Sequence, residues 1–252
     1  MRGLGVTALV GGALALAGST QAAVLYSAAV ETGFRWNPAL NALGGAAAPT
    51  QQDVTFDDVP ISNPLVFPQV SITKVTFGIR RLASAPAVDL NFFAATLTNQ
   101  PDNTLTNALD TPFVSLGSAS LAVNGATSVT QLVVQDFTAS PIVMDLNNTI
   151  LSPSTGFGTL SIGLQFAGVN AANQNNGWRN TTPSAGSVNA NQLFWIYDTD
   201  IAQQKNAVSF GVPSGTVPPS TFYIILEGDL VPAPGAAAVL GLGGLVLARR
   251  RR

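Results

Sequence analysis

The segment TLSIGLQF, Thr159 to Phe166, decides the fold class. Leu160, Ile162, Leu164 and Phe166 fall on one phase, and Thr159, Ser161, Gly163 and Gln165 on the other. Side chains alternate across a strand, so this period of two sets four apolar groups on a core face and directs the second set outward. The segment reads as a central strand, in which Leu164→Ala should cost about 2–5 kcal/mol through lost burial and a residual cavity. The same short period recurs on both sides. In Val70 to Arg80 the apolar phase moves from Val70 and Ile72 to Val75, Phe77 and Ile79. A one-residue slip exchanges the faces of a strand, so a bulge is expected near Thr73-Lys74. Val88 to Thr98 shows a similar change, from Val88, Leu90 and Phe92 to Phe93, Ala95 and Leu97.

Working outward, Val24 to Val30 reads as an edge strand and residues 33–50 as a loop, broken by Gly44-Gly45 and Pro49. Gln52 to Val59 is a strand, followed by a Pro-rich turn at Pro60, Pro64 and Pro68. Residues 99–110 form a polar loop, and Phe113 to Leu116 with Ala119 to Val123 a hairpin or one broken strand. A turn follows at Asn124-Gly125. Val129 to Phe137, Ile142 to Leu146, Leu193 to Tyr197, Ala207 to Phe210 and Thr221 to Leu230 supply further strands. The asparagine-rich stretch Gly168 to Gln192 reads as a long loop, of a length that is usually functional or disordered. No internal repeat and no sustained helical period interrupts residues 23–230. The expectation is all-β: a two-sheet antiparallel jelly-roll-like sandwich of roughly ten strands, with an opened barrel as the alternative.

Composition excludes several chemistries. The chain has no histidine and no cysteine, so a Ser-His-Asp or Cys-His triad, a His/Cys zinc site and disulfides are all ruled out. All thirteen acids but only six of the eleven basic residues lie within 23–230, which gives this body a net charge of −7. Such a surface does not suit nucleic acid, whose binding needs basic residues that release counterions.

The two ends carry targeting patterns. Arg2 precedes an apolar core from Leu4 to Ala17, and Thr20-Gln21-Ala22 offers small residues to a signal peptidase, so residues 1–22 read as a secretory signal peptide with the mature chain starting at Ala23. At the other end, Val231-Pro232-Ala233-Pro234 precedes an uncharged run of fourteen residues, Gly235 to Ala248, and then Arg249, Arg250, Arg251 and Arg252. As a helix the run would span about 21 Å, short of the ~30 Å hydrocarbon core, with the arginines held in the cytoplasm. This tail resembles the PEP-CTERM sorting signal of bacterial exported proteins, a type also labelled an ice-binding protein C-terminal domain. Ala233 stands where the usual motif has Glu. The resemblance implies an exosortase-like membrane protease as processing partner, transient membrane insertion through 235–248, and a destination at the cell surface or extracellular matrix. A plain membrane anchor is the alternative. The body is similar to secreted β-domains that accompany such tails, through Phe56-Asp57-Asp58-Val59, the strand around Val75 to Ile79 and a late aromatic strand. Ice binding is not carried over, because a flat, regular Thr face is absent from the pattern.

Candidate sites are few. Trp178 beside Arg179, with Asn175, Asn176 and Asn180 around them, has the chemistry of sugar stacking plus hydroxyl recognition; against this, Trp178 can fold back over the sandwich. Asp57 and Asp58 are adjacent in a strand and so point to opposite faces, which disfavours a two-carboxylate glycosidase; they read as solvated or turn-capping groups. Asp198 and Asp200 form an Asp-x-Asp that calcium could use, with turn stabilisation as the simpler reading. No other cofactor is expected. The sequence thus points to a non-catalytic exported surface or matrix protein with a structural or adhesive role. A module binding carbohydrate, such as exopolysaccharide, is the first alternative, and a polysaccharide-acting enzyme the weaker one.

Overall fold

The computed structural model describes residues 22–36, 53–96, 113–147, 149, 151, 155–167, 176–181, 193–198, 203–209 and 221–233. Among them are fourteen strands: β1 (Ala23–Ala28), β2 (Glu31–Trp36), β3 (Asp53–Ser62), β4 (Gln69–Arg81), β5 (Val88–Thr96), β6 (Val114–Leu121), β7 (Val129–Asp136), β8 (Ile142–Asp145), β9 (Gly158–Ala167), β10 (Asn176–Thr181), β11 (Leu193–Asp198), β12 (Gln203–Ser209), β13 (Thr221–Phe222) and β14 (Ile224–Val231). They form two antiparallel sheets. The front sheet has eight strands, in the order β1-β14-β4-β10-β13 with β2 on β10 and both β7 and β8 on β4; the back sheet has six, β12-β11-β3-β9-β5-β6.

The front sheet is built on the thirteen residues of β4. One edge of β4 pairs with β14 from Gln69 to Phe77 and then with β10 from Ile79 to Arg81. Its other edge takes β8 from Gln69 to Ile72 and β7 from Lys74 to Arg81. The expected bulge is present at the handover. Ile72 pairs Gly228 and Lys74 pairs Glu227, which leaves Thr73 as the extra residue, and the Thr73 carbonyl accepts from Phe137 N at 2.7 Å. The slip keeps Val70, Ile72, Val75, Phe77 and Ile79 all fully buried.

β9 behaves as its sequence predicts on the core side: Leu160, Ile162, Leu164 and Phe166 are buried in a strand flanked by β3 and β5. They pack in the cluster that joins the sheets, where the Phe77 and Phe92 rings lie 4.3 Å apart by centroid. The outward set is not solvated as expected. Thr159 and Ser161 are buried, and a Cβ at Gly163 would collide with the Phe56 ring. Gly163 leaves room for an aromatic row in which Phe56 and Phe93 each pack on Phe113. Both faces of β9 are therefore covered.

Several boundaries differ from the sequence reading. β5 keeps a single phase, Val88, Leu90, Phe92 and Ala94, and the irregularity lies in its neighbour, where Leu116 of β6 is the extra residue between Gly117 and Ser115. Phe93 is apolar because it serves the outer aromatic row. Pro60 lies within β3 instead of a turn, opposite Thr159. It is tolerated because β11 pairs β3 only as far as Asp57, so among the described residues no strand on that side needs the missing N–H, and Ile61 is bulged beside it. β2 occupies 31–36, part of the expected 33–50 loop, and β10 falls inside the expected 168–192 loop. β1 is the edge strand that was anticipated, paired to β14 alone. The expected signal peptide through residue 21, Pro234, the run 235–248 and Arg249 to Arg252 lie outside the described residues. Among the described residues no helix is long and apolar enough to cross a membrane.

Candidate functional site

β10 reads Asn-Gly-Trp-Arg-Asn-Thr, a strand with a single large apolar residue, and that residue explains its place. Trp178 is fully buried, stacked on Phe222 with centroids 4.1 Å apart and planes within 5°, and close to Phe77 at 5.9 Å. Its indole N–H donates to the Tyr223 carbonyl at 3.3 Å, which meets the polar requirement of a buried tryptophan. Trp178 cannot stack on a sugar; the fold-back reading is the correct one. Its neighbours are held too. Asn176 accepts from Arg81 Nε at 2.9 Å and donates to the Pro86 carbonyl at 3.2 Å, and Asn180 is buried opposite Phe222. The four residues of the expected carbohydrate site do not form a binding surface together. Polar composition misled the sequence reading, because one tryptophan suffices to anchor a six-residue strand.

Arg179 is separated from Trp178 by alternation and lies on the outer face of the front sheet. Its Nη2 pairs with Glu31 Oε2 at 2.7 Å, and the same carboxylate oxygen accepts from Thr130 Oγ1 at 3.1 Å. Arg35 lies directly opposite Arg179 in the β2–β10 ladder. Arg80 faces Gly177 on one side and Thr130 on the other, so it sits one step diagonally from Arg179 on the same face. The Tyr223 ring covers the neighbouring position of β4, where a Cβ on Gly78 would collide with it. Burial, reinforced by the Arg80 charge, holds Arg35 below the usual guanidinium range. Burial and Arg80 likewise lower Arg179, against the opposing pull of Glu31. The outward phase of Arg80 was legible in the sequence from Val75, Phe77 and Ile79; its two arginine neighbours were not, because strand pairing brings them together.

Asp57 is the second polar group that the sequence misplaced. It is 2% exposed and points between the sheets, not into solvent. Its Oδ2 accepts from Thr221 Oγ1 at 2.5 Å and from Phe222 N at 2.9 Å, and its Oδ1 from Asp58 N at 3.0 Å. A back-sheet carboxylate is thereby tied to a front-sheet strand. Burial pushes its carboxyl up to about 6 despite these three donors. Asp58 is buried on the opposite face by alternation, so the two carboxylates do not share a side. Only the backbone of Asp198, at the end of β11, is described, and Asp200 lies outside the described residues; no group of three or more carboxylates among the described residues could hold a metal.

The arrangement defines the class as an all-β domain of two antiparallel sheets. No protein-family model and no curated protein matches the chain. Among solved structures, the chain is similar to one of the cysteine protease and lectin-like domains of Cwp84, a surface layer associated protein of Clostridium difficile, at 14% identity and a TM-score of 0.34, over 71% of this chain and 32% of that one. It is similar at the same identity and TM-score to a clostridial Cwp84 after propeptide cleavage, over 71% of this chain and 36% of that one. The chain thus spans about a third of the length of these structures. A likeness at this level carries no argument about activity.

Proposed function

We propose that this chain is a non-catalytic protein, exported to the cell surface or extracellular matrix and sorted there through Val231 to Arg252, with a jelly-roll-like sandwich as its structural or adhesive body. The observation that carries this reading is the β1–β14 ladder. Ala23 pairs with Gly228, three residues before Val231, so the first and last residues of the body leave the front sheet at the same end. The apolar segments expected at 1–22 and 235–248 therefore attach at one end of the sandwich, and a single membrane surface suffices for both. The junction also has the backbone that a protease reads. Val231 is extended in β14, Pro232 is exposed, and Ala233 N donates to the Val66 carbonyl at 3.2 Å. Proline fixes its own φ and biases its predecessor toward extended geometry, which keeps Val231 and Ala233 out of a following helix. A polysaccharide-acting enzyme is disfavoured by the opposed faces of Asp57 and Asp58.

The test is processing of the full precursor in a bacterium that carries an exosortase-like protease. Mass spectrometry of the matrix-located protein is expected to find an N-terminus at Ala23 and a C-terminus that lacks the arginines. Neutral replacements at Arg249 to Arg252 are expected to reduce that processing. A mature form that still ends at Arg252 would leave the plain membrane anchor as the reading.

A further inference from the structure

Three segments meet at the end of the sandwich where the body hands over to its tail. Val231 of β14 pairs with Gln69 at the start of β4, Gln69 pairs with Asp145 at the end of β8, and Ser62 at the end of β3 pairs with Gly158 at the start of β9. Leu146 N donates to the Pro68 carbonyl at 2.7 Å and Leu151 bridges to Gly158, so the β3–β4 turn and the β8–β9 connection lie side by side. Ala233 N donates to the Val66 carbonyl at 3.2 Å and ties the exit of the chain to the same turn. Apolar side chains on these loops stand in solvent. Leu65 is 88% exposed, more than any other large apolar residue among those described, and Val66, Leu151 and Phe157 are exposed with it. The tip is held in that position. Asn63 Oδ1 accepts from Leu65 N at 3.0 Å, and the Asn63 carbonyl accepts from Val66 N at 3.0 Å and Phe67 N at 2.9 Å, a turn that Pro64 stiffens further. Charge is missing from the same segments: the sequence has none from Val59 to Thr73, from Leu146 to Trp178 or from Leu230 to Ala248. The exposed Leu132 and Val134 of β7 lack that setting, since they share their face with Lys74, Arg80 and Asp136.

We propose that this end of the sandwich, through Leu65, Val66, Leu151 and Phe157, rests in the interface of a lipid bilayer. The contact presupposes the membrane insertion of 235–248 proposed above. What selects lipid as the occupant is the length of chain between the turn and the apolar run. Only Pro234 separates Ala233 from Gly235, and two steps of extended chain reach at most about 7 Å. The headgroup zone on one side of a bilayer is itself about 5–7 Å deep. A run that enters hydrocarbon at Gly235 therefore draws Ala233, and the Val66 carbonyl that holds it, down to the lipid headgroups. Exposed apolar side chains are stabilised at that depth, and an uncharged surface meets no desolvation penalty there. The contact sets the depth of Val231 to Pro234, so that the junction lies at the surface where a membrane protease works. It is also small: a handful of loop side chains gives weak, reversible binding, and a body of net charge −7 is repelled by anionic lipid. Removal of the run thus releases the body.

The experiment puts one environment-sensitive fluorophore on the full-length chain, which has no cysteine of its own, through Leu65→Cys, Phe157→Cys, Val123→Cys or Leu242→Cys. Each labelled chain is reconstituted into phosphatidylcholine–phosphatidylglycerol liposomes that carry a nitroxide quencher either on the headgroup or deep in the acyl chain. Val123 is the control, an exposed apolar residue between β6 and β7 at the opposite end of the sandwich. Leu242, in the middle of the run, reports insertion itself. The headgroup nitroxide is expected to quench the Leu65 and Phe157 labels severalfold more than the Val123 label. Leu65→Glu, at an exposed position where folding is not at stake, is expected to weaken the quenching of the Phe157 label severalfold. A Leu65 label quenched no more than the Val123 label, beside a Leu242 label quenched by the deep nitroxide, would overturn the lipid contact and keep the inserted tail. A Leu242 label that escapes the deep nitroxide would overturn insertion, and the lipid contact would stand or fall separately on the Leu65 label. Leu65 and Phe157 labels that stay in water on lipid alone, and are shielded only when a membrane protease is reconstituted beside them, would assign this end to a protein and overturn lipid as its occupant.

Discussion

β4 and β10 present two faces with opposite habits. On the inner face Trp178 stacks on Phe222 and Arg81 is 2% exposed with every nitrogen engaged. On the outer face the residues next to them in sequence, Arg179 and Arg80, lie one diagonal step apart, with Arg35 opposite Arg179 and Glu31 paired to it. Between the sheets Arg81 and Asp57 each hold several hydrogen-bond partners, which matters because an unmet buried donor or acceptor costs about 1–3 kcal/mol. On the outer face the contrast is at Arg179, whose Nε and Nη1 have no hydrogen-bond partner among the described residues, so the fold draws no stability from those two donors.

The comparison breaks first if the inner face proves dispensable. Trp178→Ala is expected to cost about 3–5 kcal/mol, measured by urea unfolding, since it removes a fully buried ring and leaves a cavity against Phe222 and Phe77. A loss below about 1 kcal/mol would mean that β10 is held by its backbone alone. Arg81→Met should follow at about 3 kcal/mol, because the Ala122 carbonyl and the Asn176 amide oxygen lose the Arg81 donors together and the Pro86 carbonyl is left with Asn176 alone.

Asp57 sharpens the same contrast through pH. Its folded carboxyl is pushed up to about 6 from 3.8, so between those values the native state binds more protons than the unfolded chain. Stability should therefore fall as pH rises from about 4 to about 6, by about 3 kcal/mol at most from this group. Asp57→Asn should flatten that segment of the stability–pH curve. A wild-type curve that rises through the window and is unchanged in the variant would place the controlling carboxylate elsewhere.

How far the sequence could be read follows the same division. Period-two patterning found β4, its bulge at Thr73 and the core stripe of β9, because each depends on apolar residues within one strand. It missed β10, whose one tryptophan carries no period, and kept Pro60 out of β3, since the missing pairing partner on that edge is a property of the sheet. It took Asp57 for a solvated group because nothing local shows that Thr221 and Phe222, 164 and 165 residues away, supply its donors. The arginine patch was unreadable for a related reason: Arg35, Arg80 and Arg179 meet only through the β2–β10 and β10–β4 registers.

The smallest expected effect is the most diagnostic. Arg179→Met keeps the length and apolar stem of the side chain and removes its charge. Removing one partner of an ion pair is costly when it strands the other charge in the interior, and much less so when the other charge remains in water. Glu31, left behind, is an exposed carboxylate that still accepts from Thr130, so no buried charge is stranded. Repulsion with Arg35 and Arg80 is relieved at the same time. Urea unfolding should place Arg179→Met within about 1 kcal/mol of the parent chain, against about 3 kcal/mol lost for Arg81→Met. A loss of stability equal to that of Arg81→Met would erase the distinction between the two faces and make Arg179 a structural residue.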